Sequence, residues 1–72
     1  MRIPFHVVFN VHEDGTLQPR QRVRIGATYI GPEWRISKGV YFGDVDLTRH
    51  IGRDLEVQQI PNALMVKAVY GS

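Results

Sequence analysis

The chain of 72 residues contains no cysteine, so no disulfide braces it and no thiolate metal site can form. Serine is almost as scarce, occurring only at Ser37 and Ser72. No apolar run approaches the ~20 residues of a membrane span, since stretches such as Ala63 to Val66 stop at four. Met1-Arg2-Ile3-Pro4-Phe5-His6 lacks the apolar stretch of a secretion signal. A cytoplasmic location and no membrane partner are the expectations from these absences. No long helical periodicity occurs anywhere, which argues against an all-α fold.

What is present is strand pattern. Ile3, Phe5, Val7, Phe9 and Val11 place an apolar side chain at every second residue, the period of a half-buried strand. Glu13-Asp14-Gly15 reads as a three-residue turn with Gly15 at positive φ, closing a bulged hairpin. That register sets His12 opposite Thr16, Val11 opposite Leu17, Phe5 opposite Val23 and Ile3 opposite Ile25. The other face then collects His6, Val8, Asn10, Arg20, Arg22 and Arg24.

A second hairpin is centred on Pro61-Asn62, where Pro pre-sets φ and Asn tolerates a left-handed backbone. The expected pairs are Val57 with Val66, Leu55 with Ala68, Gln59 with Leu64, and Glu56 with Lys67 as a cross-strand charge pair. Asp46 is placed to cap one helical turn over residues 47–51, closed by Gly52. Ala27 to Ile30 and Gly39 to Val45 read as further short strands, the latter bent at Gly43. Residues 1–70 thus form one all-β domain, a small barrel or compact sandwich of five or six short antiparallel strands. The terminal pair 71–72 reads as a cloning remnant. A core this small gains from oligomerisation, so a homodimer is expected.

Ile25-Gly26, Ile30-Gly31-Pro32, Ile36 and Val40 resemble the hexapeptide repeats of left-handed β-helix acyltransferases. The intervals run five, six and four, and only one or two coils are spanned, so the glycines read instead as turn punctuation.

Charge is small in sum and uneven in distribution. The net charge is +2 and the pI about 9.4. Between Gln18 and Lys38 five basic residues face one acid, Glu33, whereas Asp44, Asp46, Asp54 and Glu56 make the segment 43–57 acidic. Arg20, Arg22 and Arg24 on one strand would project at ~6.6 Å intervals, near the ~6–7 Å phosphate spacing of an extended single strand. His6 and Asn10 lie beside them, and Trp34, Arg35, Lys38 and Tyr41 complete a candidate basic and aromatic face. The same arginines can serve as solvated cover or as a protein interface.

Metal binding is not expected, because His6 and His12 would stand ~20 Å apart along a strand and His50 belongs to no ligand motif. Nor is catalysis: nucleophiles are scarce, Asp46 already has a capping role, and a chain this short has little room for a ~300 Å³ pocket. No cofactor is implied. The leading expectation is a non-catalytic protein-interaction module, a small accessory or inhibitor protein acting by surface occlusion. The alternative is a small nucleic-acid-binding β-barrel using the arginine ladder.

Overall fold

A computed structural model describes residues 1–71. The chain order is β1 (Arg2–Pro4), a single helical turn α1 (Phe5–Val8), β2 (Phe9–Val11), β3 (Leu17–Pro19), β4 (Val23–Ile25) and β5 (Thr28–Ile30). A 3-10 turn (Leu47–His50) then precedes the two longest strands, β6 (Asp54–Ile60) and β7 (Ala63–Val69). One sheet has the order β1-β6-β7-β4-β5, and β2 with β3 forms a separate two-stranded ribbon. Strands dominate, as expected, but the main sheet is open rather than closed into a barrel. It is also mixed, because β4 runs parallel to β7 with Val23 beside Leu64 and Ile25 beside Val66.

The first strand departs most from expectation. The expected strand is broken by the helical turn into Arg2–Pro4 and Phe9–Val11, and Ile3 pairs with Leu55 of β6 instead of Ile25. The cause lies in two competing periods. Phe5, Val8 and Phe9 stand at i, i+3 and i+4, which is helical spacing, and all three are buried. Pro4, at φ −63°, enters the turn without needing an N–H, and the Phe9 N–H bonds to the Phe5 carbonyl. Phe5 and Phe9 then meet with ring centroids 5.1 Å apart. Val8, expected on the basic face, is fully buried, while Val7, expected inside, is 49% exposed. The Phe5–Val23 pair does not form.

The turn itself stands where expected. His12 N–H bonds the Thr16 carbonyl at 2.9 Å and Gly15 has φ +86°. Val11 pairs with Leu17, Asn10 with Gln18 and Phe9 with Pro19. Val11, in the ladder pair next to the turn, is 39% exposed, whereas its partner Leu17 is fully buried.

In the C-terminal hairpin Asn62 has φ 65°, which with Pro61 before it makes a type II turn. Val57 pairs with Val66 and Gln59 with Leu64, as expected. A register shift between Glu56 and Val57 then sets Glu56 opposite Ala68 and Leu55 opposite Val69. Lys67 is the extra residue of this bulge, so the expected Glu56–Lys67 pair is replaced. Glu56 instead takes the N-terminal ammonium and the Tyr70 hydroxyl, and the ammonium contact is the chief cause holding its carboxyl below the usual range. The bulge also leaves Val66 only half-buried.

Residues 31–46 contain turns rather than the expected Gly39–Val45 strand. Within the segment Phe42 pairs with Val45, bonded both ways around Gly43-Asp44. Ile36 and Phe42 pin this segment to the core, Ile36 through reciprocal bonds of 2.8 and 2.9 Å with Leu17. Asp46 is the buried charge that ties the segment together. Its Oδ1 accepts from the Thr48 N–H and hydroxyl, and its Oδ2 from the Gly39 N–H at 3.1 Å. The expected cap is therefore present, although the turn ends at His50 rather than Ile51.

Candidate interaction surface

The core and the outer surface of the main sheet follow from one alternation. In β4, Val23 and Ile25 point inward and are buried, so Arg24 points outward, and Arg22 just before the strand shares that side. Gly26-Ala27 joins β4 to β5 as a two-residue turn, with Gly26 at φ +61°. Positive φ at the first central position is the II′ pattern that keeps the strands' twist. The turn fixes Arg24 opposite Tyr29 and leaves Ile30 buried on the inner side.

Tyr29 thus becomes the centre of the basic face. The Arg22 guanidinium carbon lies 4.7 Å from its ring centroid and that of Arg24 5.9 Å. Arg24 Nε also donates to the Gly26 carbonyl at 2.7 Å, which holds that side chain over the hairpin. Among the described residues, no side chain or carbonyl accepts a hydrogen bond from Arg22. A cleft of about 360 Å³ opens beside the stack, lined by Arg22, Tyr29, Ile30, Gly31, Pro32 and Glu33. Tyr29 was not among the sequence candidates. The signal for it was available, because a two-residue turn at Gly26-Ala27 places residue 29 directly across from residue 24.

The expected arginine ladder does not exist as one strand. β3 ends at Pro19 and β4 begins at Val23, so Arg20 and Arg22 lie in the connecting bend. The Arg20 N–H bonds the Val8 carbonyl, and its Nε donates to the His6 carbonyl at 2.8 Å. Arg20 and His6 are therefore brought together on the α1 side, away from a common row with Arg24. Asn10 is half-buried opposite Gln18 in the ribbon.

The remaining candidates sit elsewhere. Arg35 belongs to a chain of polar contacts at the first turn: its Nε donates to Thr16 Oγ1 at 2.6 Å, and its Nη2 lies 3.4 Å from Asp14 Oδ2. Thr16 in turn donates its hydroxyl and N–H to Asp14 Oδ1. That hydroxyl bond, ahead of the Arg35 charge, holds the Asp14 carboxyl below the usual range. Lys38 lines a larger, open cleft of about 710 Å³ with Ser37, Thr48, Arg49 and Ile51. Trp34 and Tyr41 are 45% and 55% exposed, and the ring pair among the described residues is Phe5–Phe9. They do not join Arg22 and Arg24 in one platform.

The histidines are dispersed too. His6 lies in α1, His12 Nε2 pairs with Gln18 Oε1 at 2.9 Å, and His50 ends the 3-10 turn. Among the described residues no group of three His, Cys, Asp or Glu side chains is placed to hold an ion, and no helix is long and apolar enough to cross a membrane. No protein-family model matches the chain, and neither a curated protein nor a solved structure resembles it closely enough to count as a match.

Proposed function

We propose that the chain is a non-catalytic protein-interaction module, a small accessory or inhibitor protein that acts by covering part of another protein's surface. The observation that supports this reading is the Arg22–Tyr29–Arg24 stack on the outer side of the sheet. Arginine laid on a tyrosine offers a wide, pre-ordered, amphipathic contact, and both residue types are favoured where binding energy concentrates. Ordering such side chains in advance lowers the entropy lost on docking.

The competing nucleic-acid reading drew on three arginines at phosphate spacing. Nε of Arg20 and Nε of Arg24 are bound to backbone carbonyls, and Arg35 is engaged with Thr16 and Asp14. What favours that reading now is Arg22, whose donors meet no acceptor among the described residues and which lies over the Tyr29 ring. Affinity capture with and without nuclease separates the two readings. Recovery of one defined protein after nuclease treatment, lost with Arg22→Ala combined with Tyr29→Ala, is the expected result. Disappearance of every partner on nuclease treatment overturns the protein-interaction reading.

A further inference from the structure

The two edges of the five-stranded sheet are unequal. At one edge, β1 carries Pro4, which has no N–H to offer a further strand. At the other edge, β5 pairs with β4 and with nothing else among the described residues. The Gly26-Ala27 turn makes Ile25 and Thr28 a hydrogen-bonded pair. Alternation in an antiparallel ladder then makes Arg24–Tyr29 the non-bonded pair, so the N–H and C=O of Tyr29 face outward from the edge. An exposed pair of this kind is the docking element for an added strand.

Taking the interaction-module reading as its premise, we infer that β5 receives an extended, acidic segment of a partner protein, which adds to the sheet as a sixth strand. Tyr29 supplies the backbone donor and acceptor. A carboxylate from the added strand, on the outer face, meets the Arg22 guanidinium, which finds no acceptor among the described residues and lies over the Tyr29 ring. Charge decides the occupant. A second copy of this chain paired through β5 about a two-fold axis would bring Arg22 and Arg24 against their own equivalents. Nucleic acid would satisfy Arg22 but leaves the Tyr29 amide edge without a partner strand.

The inference is tested on the full chain by amide NMR and hydrogen exchange. The probe is a capped hexapeptide alternating glutamate and threonine, with the lysine–threonine peptide and a ten-residue oligothymidylate in parallel. The expected result is that the acidic peptide shifts the Thr28, Tyr29 and Ile30 amides and slows exchange at Tyr29. Arg22→Ala should weaken it about tenfold, the size of one lost bond to a charged group. Arg49→Ala should leave the affinity within about twofold, since an exposed charge far from the contact contributes little. N-methylation of alternate peptide amides, which leaves this protein's fold untouched, should abolish binding.

Equal binding of the lysine peptide overturns the acidic assignment. Peptide-induced shifts confined to another surface overturn the β5 site and leave the interaction-module reading standing. Concentration-dependent shifts at residues 28–30 without any peptide overturn the inference in favour of a homodimer. Oligothymidylate binding at these amides while neither peptide binds overturns both the inference and the reading beneath it.

Discussion

Arg22 reaches across the β4–β5 hairpin to lie over Tyr29, its guanidinium carbon 4.7 Å from the ring centroid. The contact depends on a two-residue turn and on the parallel seating of β4 beside β7, where the Leu64 N–H bonds the Arg22 carbonyl at 3.0 Å. The backbone of Arg22 is thus fixed by the sheet while its side chain stays exposed. This combination makes it the side chain to vary when function is probed.

The buried helical turn gives the sharpest test of the fold. Phe9 is fully buried against Phe5, so Phe9→Ala should cost about 3–5 kcal/mol, the range for phenylalanine truncation in a core. Val7→Ala, at a residue 49% exposed, should stay within about 0.5 kcal/mol of the parent. Urea denaturation measures both. A large loss at Val7 with none at Phe9 would restore a continuous first strand.

Gly15 is a backbone requirement rather than a packing one. Its φ is +86° and a Cβ there would meet nothing within 4 Å, so the cost of a substitution is conformational. Gly15→Val should destabilise by about 1–2 kcal/mol, and Gly15→Asn by distinctly less, because asparagine visits the left-handed region more readily. Equal stability for the glycine and valine forms in thermal melts would show that the bulged turn does not form.

Asp46 predicts a pH dependence of known sign. Hydrogen bonding from the Thr48 hydroxyl, then from the Gly39 and Thr48 N–H groups, with a smaller contribution from Arg49, lowers its carboxyl below the usual aspartate value. A depressed folded value contributes stability that is present above the unfolded value near 4 and is lost as pH falls through the folded one. Denaturation midpoints should therefore drop below about pH 4. In Asp46→Asn that drop should shrink, and the Gly39 and Thr48 amides should exchange faster at neutral pH. An undiminished acid transition in Asp46→Asn would assign the effect to Asp14 or Glu56, whose carboxyls are also lowered.

The hairpin turns at Gly15 and at Pro61-Asn62 and the Asp46 cap were legible in the sequence, because each rests on local chemistry: Gly15 at positive φ, Pro61-Asn62, and an aspartate two residues before a threonine. The Ile3–Leu55 and Val23–Leu64 pairings were not, since nothing local specifies which distant strand fills an edge. Residues 5–9 carry two apolar periods at once, and the helical one prevailed because it buries Val8 with both phenylalanines. Once that turn shortens the first strand, Arg20 and Arg22 fall in a bend and the arginine row dissolves. The basic face survives in smaller form, reorganised around Tyr29.

The most direct discrimination between a protein-docking surface and a phosphate-binding one is fluorescence anisotropy of a labelled single strand, titrated from ~50 mM salt upward, where the phosphate term is strongest. A protein-interaction module predicts no saturable binding even at the lowest salt. Saturable binding whose logarithm falls with log salt at a slope of about −0.7 per phosphate contact on a single strand, and whose slope flattens by about one contact in Arg22→Ala, would contradict it.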